Sequence, residues 1–254
     1  MLLVIDVGNT NTKVGVCDPQ RVLVSWQLTT RREQTADEYG VFIETLLRTR
    51  GVEPGHITGV AISNVVPQVQ RAREEMAERY FGATPLFVGA DLDALPLDVE
   101  DPRSVGADRI VAGVAAVALY GAPVIIVDLG TATRFDCVDA RGRFIGGAIA
   151  PGVIVAADAL LSRAARLFRV ELVRPERAIG RDTMTNIQSG VVFGFAGLID
   201  GLVARMREEM GVAATVVATG GLAPLMARVA RSIQHLNPDL KLEGLRLIHQ
   251  RHGK

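Results

Sequence analysis

The chain has 254 residues, 48% hydrophobic and 22% charged, with 28 basic and 28 acidic side chains and no net charge. That length allows one large domain or two of about 100–150 residues, the composition excludes a disordered tail, and the balanced charge excludes a global field for nucleic acid or an acidic membrane. Met1 leads straight into a strand pattern without a basic leader, and no apolar run reaches the ~18 residues of a membrane span, so the cytoplasm is expected.

The apolar run LLVI at 2–5 predicts a strand that enters the phrase DVGNTN, Asp6 to Asn11. Further strand signals at 14–17, 22–28 and 57–62 alternate with helical patterns near 36–50 and 67–80, an α/β opening. The acid- and proline-containing stretch 90–102 marks a boundary, which divides the chain into 1–104 and 105–254. A helix is expected near 107–120, then a strand at 123–127 and the phrase DLGTAT, Asp128 to Thr133. A strand at 134–139, a turn at Gly142, a strand at 143–149 and a helix from near Gly152 follow, so the order repeats. Ile187, Val191, Phe195, Leu198, Leu202 and Met206 give one apolar face to a helix over 184–209. Gly190, Gly194, Gly197 and Gly201 interrupt it, which points to close approach by another backbone, within the core or across a dimer. VVATGGLA at 216–223 reads as a strand turning into a helix near 222–232, either a plain connection or a site for a base or sugar.

The two loop phrases lie 122 residues apart. In each, glycine permits a tight turn with outward N–H groups, hydroxyl and amide side chains donate hydrogen bonds, and the leading Asp suits a cation. That is a phosphate-and-metal grip built twice; the alternative for either Asp is to cap its own turn. Asp108 stands in the first turn of its helix beside Arg109. It is placed either to gain from the helix dipole or to orient an acceptor hydroxyl and take its proton. Arg134 either reaches phosphate or stays solvated. Cys17 and Cys137 lie in apolar strand contexts and read as core. The four histidines, His56, His235, His249 and His252, read as surface residues, and REEMAER at 73–79 as a solvated face. GGAIAPG at 146–152 reads as a structural hairpin or as the floor beneath an acceptor.

Two phosphate loops followed by the Thr219-Gly220-Gly221 turn resemble the acetate-kinase, sugar-kinase, heat-shock-ATPase and actin superfamily. That likeness implies an α/β chain of duplicated ribonuclease-H-like (actin-like ATPase) halves, two mixed-sheet halves with a nucleotide cleft between them. DVGNTNTK, GADR, DLGTAT, GGAIAPG, IGRDT at 179–183, QSG at 188–190 and LEGL at 242–245 together resemble type III pantothenate kinase, from Met1 to about His249. This resemblance implies ATP-dependent phosphorylation of pantothenate to 4′-phosphopantothenate, opening coenzyme A synthesis, with Mg2+ and a monovalent cation, K+ or NH4+. By the same resemblance Asp6, Val7, Gly8, Asn9, Thr10, Asn11, Thr12 and Lys13 contact the ATP phosphates together with Thr131, and Asp6 is a candidate Mg2+ ligand. Asp128 holds the monovalent cation. Gly106, Ala107, Asp108 and Arg109 hold pantothenate, Asp108 accepts the proton, and Thr183 closes the pocket. A homodimer is implied, with no nucleic acid or membrane partner. Two departures stand out: Val99 where an aromatic is expected ahead of Pro102, and Arg134 where relatives carry a small hydroxyl residue. The competing reading is a nucleotide-binding regulatory protein of the same fold, an accessory factor for transcription without pantothenate turnover.

Overall fold

β-Branched runs make both central strands. In the computed structural model, which describes residues 1–163 and 170–253, Val4, Ile5, Val124, Ile125, Ile126 and Val127 are all fully buried. β1 (Leu2–Val7) pairs antiparallel with β2 (Asn11–Cys17), which pairs antiparallel with β3 (Val22–Thr29). On its other side β1 runs parallel to β4 (Gly59–Asn64), and β4 to β5 (Leu86–Val88). The second sheet repeats this order: β6 (Val124–Leu129) is antiparallel to β7 (Ala132–Val138), and β7 to β8 (Phe144–Pro151). β6 is parallel to β9 (Thr215–Thr219), and β9 to β10 (His235–Leu236). β5 and β10 are too short to carry a periodic signal, which is why sequence pattern misses them.

The helices are α1 (Ala36–Thr49), α2 (Gln70–Phe81), α3 (Ala107–Tyr120), α4 (Val153–Arg163), α5 (Thr183–Met210), α6 (Ala223–Met226) and α7 (Leu240–His252). Tyr39, Ile43 and Leu47 of α1 and Met76 and Ala77 of α2 join Leu3, Ile5, Val7 and Ile62 in one core. Val153 and Ala157 of α4, Ile187 and Ile199 of α5, and Ala223 of α6 join Ile125, Val127, Phe135 and Val216 in the other. Alternation along the strands therefore turns Asp6, Lys13 and Ser63, and Asp128, Arg134 and Thr219, toward the opposite faces of their sheets.

By contact the chain forms two compact units, Met1–Leu95 with Glu100–Ala115 and Asp239–Lys254, and Pro96–Val99 with Ala116–Pro238. The expected cut between 104 and 105 falls inside the first unit. The C-terminal helix belongs to that unit because Leu242 packs on Gly15 of β2, where an added Cβ would lie 2.8 Å from Leu242 Cδ1. Gly244 lets α7 cross α3 closely: a Cβ there would sit 1.9 Å from the Val111 carbonyl oxygen. Glu243 accepts from the Val22 N–H at 3.1 Å and from Arg246 at 2.8 Å. Those contacts account for the LEGL phrase. Part of the stretch read as a boundary is also structured: the Asp98 N–H donates to Phe144 O, and the Phe144 N–H to Pro96 O, both at 2.8 Å.

Four expectations change. The helix expected over 222–232 stops at Met226 and gives way to turns as far as Ala230, after which Asp200 on α5 accepts from the N–H groups of Arg231 at 3.1 Å and Ser232 at 2.8 Å. Arg73, read as part of a solvated face, is fully buried with its guanidinium 3.4 Å from the centre of the Tyr39 ring. His249 is half-buried rather than a surface residue, set against Gly59, and burial lowers its pKa. Helix α5 is long and apolar enough to cross a membrane by length and composition, although no such run was expected. Its Ile187, Val192, Ile199 and Val203 lie in the second core, as a core helix requires. Cys17 does sit in the core, where burial, reinforced by Glu243, pushes its thiol up to about 12.

Candidate active site

The first loop is a tight turn made by Gly8. Its N–H donates to Asn11 O at 3.0 Å, and a Cβ on Gly8 would lie 2.9 Å from that oxygen. Thr30, at the end of β3, braces the turn: its hydroxyl donates to Gly8 O at 2.7 Å, and its N–H to Thr10 O at 2.9 Å. Thr12 is buried with its hydroxyl 2.9 Å from that of Thr30, whereas Asn9, Thr10 and Asn11 are exposed at the tip. Val7 is buried in the core and contributes backbone to the turn. Thr30 carries no local signal, since only the pairing of β2 with β3 brings it here.

Asp6 and Lys13 are directly opposite across the β1–β2 ladder. Lys13 Nζ lies 2.9 Å from Asp239 Oδ1, and Asp6 Oδ2 lies 3.0 Å from Lys241 Nζ. Helix α7 thus brings Asp239 and Lys241 to the phosphate loop from more than 220 residues away, and Lys13 does not point into solvent.

Asp108 is buried, 6% exposed, in the first turn of α3, and Arg109 beside it is half-exposed. Gly106 makes room for the carboxylate: a Cβ there would sit 2.8 Å from Asp108 Oδ1 and 3.7 Å from Val65 Cγ1. Val65 follows β4, and its N–H donates to Val7 O at 3.1 Å. The open side of Gly106 thus faces Val65, whose hydrogen bond ties it to the carboxyl end of β1, where the phosphate loop begins. Ligands of open α/β sheets gather at such strand ends.

In the second unit Gly130 N–H donates to Ala132 O at 3.1 Å, so this turn is one residue shorter than the first. Gly152 and Gly220 confine it: a Cβ on Gly152 would lie 2.2 Å from Thr131 O, and one on Gly220 2.7 Å from Leu129 O. Thr131 is exposed at the tip. The shorter turn changes the register, so Arg134 sits opposite Asp128 as Lys13 sits opposite Asp6. Arg134 Nη2 lies 2.5 Å from Asp128 Oδ2, with the two side chains 18% and 5% exposed. Arg134 is not solvated; in register it is the counterpart of Lys13. Ser63 and Thr219 are likewise matched beside the two aspartates on the parallel strands, both fully buried.

Thr183 begins α5 and is exposed. Asp182 caps the helix, accepting from the Thr185 N–H at 2.9 Å. Ser189 donates to Ala178 O at 2.5 Å and Gln188 to Glu171 O at 2.8 Å, so the QSG phrase ties the 171–178 segment to α5. Gly190, Gly194 and Gly197 have no described atom within 4 Å of a Cβ position, so close packing within the unit does not account for them.

The type III pantothenate kinase family model matches residues 2–205. The chain belongs to this family. Proteins named type III pantothenate kinase are 46% identical in Myxococcus xanthus, over 99% of this chain and 98% of that one, and 46% in Moorella thermoacetica, over 99% of both. The Desulfatibacillum aliphaticivorans relative is 48% identical over 99% of this chain and 98% of its own. Among solved structures, a Campylobacter jejuni protein described as a Baf family transcriptional activator aligns at a TM-score of 0.60 with 19% identity, over 98% of both chains. An Arthrobacter polyphosphate/ATP-glucomannokinase aligns at 0.53 with 13% identity, over 99% of both. Those two likenesses concern the fold, a duplicated actin-like ATPase, which both sheets display.

The resemblance read from the sequence implies Mg2+ with ATP and a monovalent cation, and the donor sets answer differently. Asp6 offers carboxylate oxygens of the kind Mg2+ takes one or two of, beside substrate phosphates, and Lys241 meets it at Oδ2. Asp128 does not suit a monovalent ion. Its carboxylate already carries a guanidinium at 2.5 Å, which supplies the counter-charge a monovalent ion would bring; Asp6 carries an ammonium in the same way, but there the ATP phosphates add the negative charge that Mg2+ answers.

Proposed function

We propose that this chain transfers the γ-phosphoryl group of ATP to the 4′-hydroxyl of pantothenate, giving 4′-phosphopantothenate and ADP, the first step of coenzyme A synthesis. The observation that carries this reading is the buried Asp108, given room by Gly106 on the side facing Val65, which is bonded to the end of β1 where the Gly8 turn begins. In phosphoryl transfer the protein mainly aligns the hydroxyl and neutralises charge, because the transition state is loose. Asp108 accepts the hydroxyl proton as the oxygen bonds to the γ-phosphorus and the bond to the ADP oxygen breaks. Backbone N–H groups and side chains from Gly8 to Thr12 hold the phosphates, with Val7 and Thr12 fixing the turn, and Thr131 contacts ATP as well. Lys13 and Lys241 set the positive charge of this region. Asp6 would hold Mg2+, which when bound neutralises the phosphate oxygens. Ala107 and Arg109 bind pantothenate, Arg109 through its carboxylate, a planar fork-to-fork match. Thr183 closes the acceptor pocket.

A homodimer fits this reading. Ile149 and Ile179, 67% and 83% exposed, with Ile154, Val155 and Leu160 give the second unit apolar surface, and the open glycines of α5 admit another backbone. The reaction needs no nucleic acid or membrane, and we place it in the cytoplasm. ADP release coupled to NADH oxidation tests the reading: Mg-ATP turnover that starts only when pantothenate is added is expected. ADP release indifferent to pantothenate would contradict it.

A further inference from the structure

Both loop aspartates are met by a cationic side chain of the protein itself. Asp6 has Lys241 at 3.0 Å, supplied by α7, and Asp128 has Arg134 at 2.5 Å, supplied by the facing strand. Both pairs are enclosed to the same degree, and the second is the one whose cation the strand ladder itself supplies. Asp128 is 4% exposed, Thr219 adjoins it on β9, and a Cβ at Gly220 would lie 2.8 Å from its Oδ1, so the Gly220 backbone closes that side. Arg134 emerges on the same face from the residue directly opposite, so the ladder fixes where its guanidinium starts. A guanidinium keeps its charge at every working pH and lies flat against a carboxylate.

We propose that Arg134 is the built-in cation of the Asp128 site, so that this enzyme runs without the K+ or NH4+ that the resemblance read from the sequence implies. The proposal rests on the kinase reading above. It makes Arg134 a positioning residue: its permanent charge holds Asp128 ionised and in place at the base of the Thr131 turn, the task a bound monovalent ion would otherwise perform. A neutral side chain at 134 would leave a buried carboxylate without its counter-charge, and the site would then recruit an ion from solution.

The test compares wild type, Arg134→Thr and Arg134→Lys, with ATP, pantothenate and buffer all as tetramethylammonium salts, before and after addition of KCl at constant ionic strength. Two quantities are read: pantothenate-dependent ADP release, and the thermal-unfolding midpoint with Mg2+ and a non-hydrolysable ATP analogue. Wild type is expected to change rate less than about twofold on K+ addition and to keep its midpoint, since no new ion binds the folded state. Arg134→Lys is expected to follow wild type. Arg134→Thr is expected to lose activity in tetramethylammonium and to regain it, with a rising midpoint, on K+ addition. A wild-type rate stimulated about tenfold or more by K+, or a wild-type midpoint raised by K+ specifically, would overturn the proposal. So would an Arg134→Thr enzyme as active as wild type without K+. Should Arg134→Thr not fold, the wild-type and Arg134→Lys arms still decide. Absence of pantothenate-dependent turnover in every salt would instead sink the kinase reading, and the midpoints would still report on Arg134.

Discussion

Asp108 depends on the residue two places before it. Because a Cβ at Gly106 would stand 2.8 Å from Asp108 Oδ1, Gly106→Ala must displace the carboxylate. Misplacement of a reacting group by about 1 Å costs roughly 10²-fold in rate, so kcat is expected to fall by about that factor while Mg-ATP affinity, measured by calorimetry, stays unchanged. Arg73 illustrates the opposite situation, a buried charge whose Nε and Nη1 lack hydrogen-bond partners among the described residues. Its cation–π contact with Tyr39 is worth about 2 kcal/mol when desolvated, less than the cost of an unpartnered buried charge. Arg73→Met is therefore expected to raise the urea midpoint, and a lower midpoint would show that the guanidinium stabilises the fold. Sequence pattern placed Arg73 on a solvated face because mixed charge at helical spacing normally faces water. It left Arg134 undecided because the partner is fixed by a turn shortened by one residue, which only the ladder registers show.

At the scale of elements, α7 is the part least legible in the sequence. Its phrase LEGL carried a family resemblance but no indication that it covers the first sheet and delivers Lys241 to Asp6. The cause is that helix-on-sheet docking across more than 200 residues leaves no local periodic trace. The geometry makes Gly244→Ala a sharp test. A Cβ 1.9 Å from Val111 O forces α7 and α3 apart. Overpacking of this kind costs about 1–3 kcal/mol, a fall in Tm of roughly 2–12 °C for a chain of this size. His249 on the same helix gives a pH signature. Burial lowers its folded pKa below the unfolded value, so the unfolded chain takes up the proton first as pH falls. Its contribution is fully present above about pH 6.5 and is lost as pH falls through the lower folded value. Urea midpoints between pH 8 and 5 are expected to decline more for wild type than for His249→Gln. Equal slopes would assign the decline to other groups.

For the whole molecule, the duplication was legible because Asp-x-Gly turns between apolar strands recur at a constant offset, and the two sheets share one strand order. What separates the copies is chemistry rather than topology. The first unit adds the Gly106–Arg109 turn proposed for the acceptor and the ion-pair partners Asp239 and Lys241, whereas the second pairs Asp128 with Arg134. The roles of the candidate residues form one claim, that Asp108 takes the proton of the pantothenate hydroxyl. Asp108→Asn keeps the shape and removes the base, so kcat for pantothenate-dependent ADP release decides it, with calorimetry on both ligands confirming that they still bind. kcat is expected to fall by about 10²–10⁴-fold with both affinities retained. An Asp108→Asn enzyme that turns over pantothenate at the wild-type rate would contradict it.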